Sequence, residues 1–241
     1  MNFPGSIDAS ILLDVFFPKE CLVCNDYLQY NKRELFCPLC KAKMVISDSH
    51  LTYHHPLKQR LHEWFQFKEV YSKYRFPNGS MVQKIIHHFK YHNLRYIGYE
   101  EAKEFGAVIK PELKRAGINF LVPIPLHWYK KFSRGFNQSL IIAQGLSQTT
   151  DTPVLKGFLQ RRKYTRSQTK LDRISRLKNM ENAFSVYPKK LTESGNLHFL
   201  LIDDVITSGI TLGSAAKTIQ GNSLFSNSQI SAFSLAYKDY N

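Results

Sequence analysis

The sequence predicts an α/β protein with a parallel sheet core and a small N-terminal module built around cysteines. Short apolar runs of strand length alternate with helical patterns from about residue 69 onward, which is typical of a parallel sheet with crossover helices. All four cysteines lie within one short stretch near the N-terminus, outside that alternating region. We therefore expect two domains, a helix and cysteine module in residues 1–50 and the α/β domain in residues 51–241.

The predicted elements follow from the spacing of apolar residues. Continuous apolar runs suit buried parallel strands, whereas apolar residues three or four positions apart suit helices. Pro111 falls inside one helical pattern, so we expect that helix to break or kink there. The strands are predicted at 69–76, 119–125, 197–202 and 230–236, and the helices at 6–17, 81–92, 99–116, 137–147 and 211–220.

The charge of the chain indicates an anionic partner. The 33 Lys and Arg residues outnumber 19 Asp and Glu residues, for a formal net charge of +14, which suits nucleic acid or a phosphorylated metabolite. No apolar run approaches the roughly 18 residues that span a bilayer, and no secretory leader is recognisable. We therefore expect a cytoplasmic protein that does not insert into a membrane and whose thiols stay reduced.

The four cysteines predict a structural metal site. Cys21, Cys24, Cys37 and Cys40 form two C-x2-C pairs separated by twelve residues. Each pair can aim two sulfurs at one ion, and two pairs complete the tetrahedral all-sulfur site that suits Zn2+ and leaves no open catalytic position. An iron–sulfur cluster is the minor alternative, and two disulfides are disfavoured in a reducing compartment.

A group of histidines between residues 46 and 68 invites a second metal interpretation. Only two acidic side chains, Asp48 and Glu63, accompany them in that stretch. We interpret the stretch as a linker or a packing surface instead. The histidines are His50, His54, His55 and His62.

A loop near the C-terminus has the features of a phosphate site. An apolar strand leads to Asp203 and Asp204, whose carboxylates can accept hydrogen bonds from the vicinal hydroxyls of a ribose at the carboxyl edge of the sheet. Gly209 allows a positive φ and a close approach of the backbone. Hydroxyls and the backbone N–H groups of the helix that follows can surround a phosphate. The hydroxyl-bearing residues are Thr207, Ser208 and Thr211.

This stretch resembles the phosphoribosyl pyrophosphate (PRPP) signature of the type I phosphoribosyltransferases. The resemblance implies a parallel sheet core with a smaller hood. It assigns Asp203 and Asp204 to the ribose hydroxyls of PRPP. It assigns the loop to the 5′-phosphate, through Thr207, Ser208, Gly209, Ile210 and Thr211.

The order of further motifs along the chain resembles the ComF family, phosphoribosyltransferase-like proteins linked to bacterial DNA uptake and competence. The resemblance covers nearly the whole chain. The motifs are F-F-P at the end of the N-terminal helix, the four cysteines, Phe89-Lys90-Tyr91, V-P-I-P, R-G-F-N-Q, and Asn179 to Phe184 at the end of a long basic loop.

Two basic segments are predicted to contact the pyrophosphate. In the resembled fold the loop after V-P-I-P binds pyrophosphate, which here assigns Lys130, Lys131 and Arg134. Residues 156–178 contain nine basic residues and one acid, a density that predicts a mobile hairpin or loop closing over an anionic ligand. Gln168 and Arg176 match recurring family positions in that loop, although Ser175 stands where the family often has an acid.

Two functions remain open on the sequence. The first is an enzyme that binds PRPP with Mg2+ and transfers its phosphoribosyl group to an unknown nitrogen acceptor, with no catalytic base assignable. The second is a non-enzymatic protein that keeps the fold and binds single-stranded DNA or a helicase or other competence partner through its basic loops. Whether the chain is an enzyme stays open at this point.

Overall fold

The computed structural model describes residues 20–28, 35–52, 54–91, 94–126, 135–162, 183–191 and 196–240. Six α-helices and six strands lie in these ranges, together with two short 3-10 helices. In chain order they are α1 (Pro38–Ala42), α2 (Pro56–His62), β1 (Val70–Phe76), α3 (Met81–Tyr91), α4 (Arg95–Ala116), β2 (Phe120–Pro123), α5 (Gln138–Thr150), β3 (Leu159–Arg161), β4 (Phe184–Val186), the 3-10 turn Pro188–Lys190, β5 (His198–Ile206), α6 (Ile210–Gln220), the 3-10 turn Ser223–Phe225 and β6 (Gln229–Lys238). The helix predicted at 6–17 lies outside the described residues.

The predicted parallel sheet is confirmed. Four strands lie in the order β1-β6-β5-β2, and each adjacent pair runs parallel. The two inner strands, β5 and β6, are buried along most of their length, as expected for a sheet that helices cover on both faces. Because β5 is an inner strand, residues at its carboxyl end lie at the centre of the sheet edge.

Alternate residues of β5 separate the core into two layers. Phe199 and Leu201 point to one face, where they pack with α2 and α6. Leu200 and Ile202 point to the other face, where α3, α4 and α5 supply the apolar side chains. This alternation is the two-residue period of a β-strand, and helices cover each face of the sheet.

Helix α4 differs from its prediction. It begins at Arg95 and continues through Pro111 to Ala116, so the expected break does not occur. A proline in the helix interior removes one backbone donor and costs about 3 kcal/mol. Phe105, Ile109 and Leu113 are buried around that position, and their packing against the sheet and α5 offsets the lost hydrogen bond.

The close contact between α4 and α5 depends on glycine. A Cβ at Gly145 would overlap the carbonyl oxygen of Tyr99, and one at Gly106 would overlap the hydroxyl of Thr149. The absence of both side chains lets the two helix backbones approach each other. Helix α5 is thereby held against the sheet with its N-terminus at the carboxyl edge of β2.

The basic stretch at residues 156–178 was predicted to be a mobile hairpin or loop. Its first part forms strand β3, which pairs with β4 in an antiparallel hairpin. Arg161 ends this strand, and its guanidinium lies over the ring of Phe184. Two adjacent apolar residues just before Arg161 in the chain, Phe158 and Leu159, are buried and hold this part in place. Residues 163–182 lie outside the described part of the chain.

The cysteine-containing segment packs against the sheet. Residues 45–47 run antiparallel to β1, with Ile46 opposite Tyr74. Lys73 of β1 is buried and ion-paired with Glu101 of α4 at 2.7 Å. Lys41 of α1 contacts Glu104 of the same helix at 3.3 Å. The domain boundary at residues 50 and 51 stays a prediction.

The described helices include none suited to crossing a bilayer, since none combines sufficient length with sufficient apolar character.

Candidate ligand-binding site and metal centre

The acidic pair lies at the carboxyl end of β5, inside the strand rather than after it. The ladder with β6 continues past Asp203, opposite Ser234, as far as Ile206, opposite Tyr237. The apolar run ends at Ile202, which is why the prediction stopped the strand there. The extra ladder bonds fix the backbone of both carboxylates, so their direction is set by the sheet rather than by a loop.

Asp203 is oriented by two hydrogen-bond donors. Its Oδ1 accepts a bond from the backbone N–H of Asp204 at 2.9 Å and one from the hydroxyl of Ser139 at 3.3 Å. Ser139 is in the first turn of α5, where Asn137 caps the helix by accepting from its N–H at 3.1 Å. Asn137 also donates to the carbonyl of Ile124 after β2. The motif R-G-F-N-Q thus begins the helix that aligns Asp203.

Asp204 forms an ion pair with a lysine that was given no role from the sequence. The Lys90 ammonium lies 2.9 Å from Asp204 Oδ2, and both side chains are mostly buried. Lys90 is in the last turn of α3, within the motif Phe89-Lys90-Tyr91. The presence of Lys90 in that motif is the sequence signal that could have indicated this role. The pair positions one cation directly beside the proposed ribose site.

The electrostatics of the pair favour a proton on Asp203. Burial raises the pKa of Asp203 to about 7, and the neighbouring Asp204 charge adds to the shift, while the Asp204 N–H, Lys90 and Arg161 oppose it. Burial also lowers the pKa of the Arg161 guanidinium, although the charge of Asp203 opposes that effect. A carboxyl whose pKa is raised toward neutrality by burial and a neighbouring charge is typical of a functional site.

The loop after β5 has the geometry of an anion site. Thr207 is exposed, Ser208 is half-buried, and Gly209 has φ of 84° at the N-cap of α6. Its N-cap residue, Gly209, has no side chain to cap the helix, so the N–H groups of the first turn, including those of Ile210 and Thr211, receive no side-chain acceptor from the N-cap. Those N–H groups and the positive end of the helix dipole favour a phosphate there.

Glycine at this loop also serves packing, which the sequence did not indicate. A Cβ at Gly209 would overlap Leu61 of α2, and a Cβ at Gly213 would overlap Trp64. The segment around α2 therefore lies directly against the loop and the start of α6. No local pattern predicts this contact, because Trp64 and Ser208 are 144 positions apart.

The five residues predicted to bind pyrophosphate lie outside the described part of the chain. Their assignment stays a prediction. They are Lys130, Lys131, Arg134, Gln168 and Arg176.

The four cysteines come together as predicted. One sulfur from each of Cys21, Cys24, Cys37 and Cys40 lies within 4.8 Å of the others. The sulfurs of Cys24 and Cys37 are 3.6 Å apart, close to the roughly 3.8 Å that a tetrahedral zinc with bonds of about 2.3 Å requires. All four are free thiols, so the disulfide alternative is not observed. An all-sulfur donor set of this kind can hold a structural zinc ion.

The backbone around the cysteines favours the thiolate form of one ligand. Burial alone would raise the pKa of the Cys21 thiol, but N–H groups of Cys37, Cys24 and Val23 outweigh it and bring the pKa to about 6. The sulfur of Cys37 in turn caps helix α1 by accepting from the N–H of Cys40. In the described ranges, no group of three or more close ligand atoms includes a histidine of residues 46–68.

Comparison with known proteins identifies relatives but no matching family model. Competence protein F of Haemophilus influenzae is 32% identical over 227 residues, covering 85% of this chain and 92% of that protein. DNA utilization protein YhgH of Escherichia coli is 26% identical over 84% of both chains, and competence protein ComFC of Bacillus subtilis is 23% identical over 83% of this chain and 78% of its own. The chain therefore belongs to the ComF family of competence proteins.

Proposed function

We propose that this protein binds PRPP at the carboxyl edge of its sheet, between the Asp203–Asp204 pair and the loop Thr207–Thr211. The observation that supports this most is the uncapped start of α6 beside a carboxylate pair fixed in a parallel strand. The loop would bind the 5′-phosphate through backbone N–H groups and hydroxyls, and the carboxylates would accept from the ribose hydroxyls.

Mg2+ would enter with the pyrophosphate. Carboxylate oxygens are ligands that Mg2+ accepts readily, so Asp203 and Asp204 suit an ion held mainly by phosphate oxygens, where it would neutralise their charge. Lys90 already balances one carboxylate at 2.9 Å. The site therefore combines an acidic surface for the ribose with positive groups at its rim.

We further propose that bound PRPP serves as a phosphoribosyl donor. The C1–O bond to pyrophosphate would break, a C1–N bond to a nitrogen acceptor would form, and pyrophosphate would leave. Fixed positive groups would stabilise the departing charge, so catalysis would depend on positioning and electrostatics. Two of the groups suited to this task are Lys90 and, by prediction, Lys130.

Binding is tested first by titration calorimetry with PRPP and Mg2+. Saturable heat is expected for the natural protein, and it should be abolished by Asp203→Ala combined with Asp204→Ala. Glu100→Ala, which removes an acid from the half-exposed surface of α4, is the control and should bind normally. Unchanged heat in the double variant would contradict the site assignment.

Transfer is tested separately by pyrophosphate release. The protein, PRPP and Mg2+ are incubated with nitrogen nucleophiles such as purines, pyrimidines and small amides. Release that depends on both an acceptor and Asp204 would support an enzyme. Binding without release for any acceptor would favour a protein that uses PRPP as a ligand only.

We propose that the role in the cell is in DNA uptake, because two of the relatives are competence proteins and a third is a DNA utilization protein. The net charge of +14 suits contact with a polyanion. A non-enzymatic protein that binds single-stranded DNA or a helicase partner is the second candidate. It would use the same basic rim.

A further inference from the structure

We propose that Trp64 is a positioning residue for the phosphate loop, holding one of its peptide groups so that an N–H faces the bound phosphate. This inference rests on the proposed function, because it concerns the same loop. It adds a residue from the segment after α2, far from the loop in sequence, to the machinery of the site.

The first observation is a direct hydrogen bond. Trp64 Nε1–H donates to the carbonyl oxygen of Ser208 at 2.6 Å. A trans peptide is planar, and its C=O and N–H bonds point in opposite directions. With the Ser208 carbonyl directed toward the indole, the N–H of Gly209 is directed away from it, toward the side on which the phosphate would bind.

A second contact acts on the preceding peptide. Arg60 of α2 approaches the carbonyl of Thr207 at 3.5 Å and donates to the carbonyl of Lys238 at 2.6 Å. Its guanidinium also lies over the ring of Tyr240, 4.9 Å from the centroid. Arg60 is thereby fixed at the end of β6, and its positive charge faces the same side of the loop as Trp64. The short indole bond remains the stronger of the two constraints.

The indole of Trp64 packs closely against the loop. The Trp64 side chain lies where a Cβ of Gly213 would be, and Leu61 lies where a Cβ of Gly209 would be. Leu61 is fully buried. The glycines at both positions therefore let the segment Leu61–Trp64 reach the loop backbone, and the indole N–H has a carbonyl within reach.

The consequence for binding is preorganisation. A glycine-containing loop has more backbone freedom than other loops, and ordering it on ligand binding would lower affinity. A loop whose carbonyl is already held on the side away from the ligand avoids that loss. The hydrogen bond thus acts on the phosphate through Gly209, without Trp64 touching the ligand.

The test compares Trp64→Phe, which removes the N–H donor and keeps an aromatic ring, with Tyr187→Phe, which removes a donor from an exposed ring elsewhere. In the ligand-free protein, amide hydrogen exchange in a peptide covering residues 205–212 should become about fivefold faster in Trp64→Phe only, the scale expected for one lost hydrogen bond. Equal exchange in Trp64→Phe and the natural protein would overturn the proposal.

Ligand binding provides the readout that a general loss of stability would not. Calorimetry should show about tenfold weaker binding of ribose 5-phosphate to Trp64→Phe, with the affinity for pyrophosphate unchanged. Equal losses for both ligands would overturn the positioning role. If the natural protein binds neither ribose 5-phosphate nor PRPP, the proposed function fails, while the exchange measurement still decides whether the indole orders the loop.

If Trp64→Phe does not fold, the indole contact can be tested in the natural protein instead. The chain has two tryptophans, so Trp128→Phe identifies the indole N–H resonance of Trp64 in a 15N spectrum. That N–H should exchange slowly with solvent, as expected of a donor in a short hydrogen bond. Rapid exchange would contradict the contact.

Discussion

Asp203 is subject to two opposing influences. Its burial favours the protonated acid, whereas ribose hydroxyls need a carboxylate acceptor. The contacts with Ser139 and the Asp204 N–H keep Oδ1 oriented in either state. Ligand binding at neutral pH should therefore be coupled to release of a proton from this site.

The pH dependence of the free energy of unfolding should reveal the raised pKa of Asp203. The pKa of Asp203 is raised from 3.8 to about 7 on folding, so its contribution is fully present below pH 4 and is lost as the pH rises through 7. Asp203→Asn does not titrate. Between pH 5 and pH 7, the free energy of unfolding of the natural protein should therefore fall by about 2 kcal/mol relative to that of Asp203→Asn.

Urea denaturation at several pH values measures that difference. The variant is compared with the natural protein at each pH, so that every pH-dependent contribution other than that of Asp203 is common to both. Glu100→Gln serves as the control and should follow the natural protein throughout. A difference between Asp203→Asn and the natural protein that does not change with pH would show that Asp203 is ionised normally.

Local patterns at the residue scale predicted the acidic pair and the loop, because both are continuous in sequence. They did not reveal the partners that set the chemistry of those residues. Ser139, Lys90 and Trp64 reach the site from three different helical segments. Such contacts depend on how helices cross the sheet, which spacing along the chain does not specify.

Strands and helices were predicted well where apolar periodicity was strong. The four sheet strands and helices α3, α5 and α6 agree with it within a few residues. Helix α4 was predicted too short and broken, since local propensity at Pro111 was outweighed by tertiary packing. A hairpin was one of the two forms predicted for the basic stretch, but its strands were not located, because β3 is only three residues long and β4 lies beyond residue 178.

The cysteine segment is an element whose folding should depend on metal. It is too short to bury a core, and the four sulfurs converge with Phe36 and Met44 against Tyr74 and α3. Protein purified without chelator should contain about one zinc per chain. Cys37→Ser should lower the zinc content and make residues 20–45 sensitive to protease.

Leu39→Ala provides the matched control. Leu39 lies between two of the ligands, and its side chain is 72% exposed, so it is expected to leave the zinc content unchanged. Iron in place of zinc would support the cluster alternative. Protein that folds with neither metal would contradict a metal-dependent module.

For the molecule as a whole, the surplus of positive charge has two candidate uses. Two of the basic residues, Lys90 and Arg161, interact with Asp204 and Asp203 at the proposed ligand site. Arg162, the next residue, is exposed and is available to a larger partner. Basic residues near the sheet edge can therefore serve both a phosphorylated ligand and a polyanion.

Measurements of DNA binding should show whether an exposed basic residue such as Arg162 contacts a polyanion. The affinity for single-stranded DNA is expected to fall steeply with salt, and Arg162→Gln should reduce the slope of log K against log salt by about 0.7 if it contacts one phosphate. Lys114→Gln is the control. Lys114 lies near the end of α4, where the carbonyl of Ala116 contacts His198 at the opposite edge of the sheet. A response to salt that is flat would argue against electrostatic binding.

The central claim is that a phosphate binds at the start of α6 with its ribose on the acidic pair. A crystal structure of the complex with PRPP and Mg2+ tests it most directly. We expect the 5′-phosphate within hydrogen-bond distance of the N–H groups of Gly209 to Thr211, and the ribose hydroxyls on Asp203 and Asp204. Ligand bound elsewhere, with the start of α6 empty, would contradict the account.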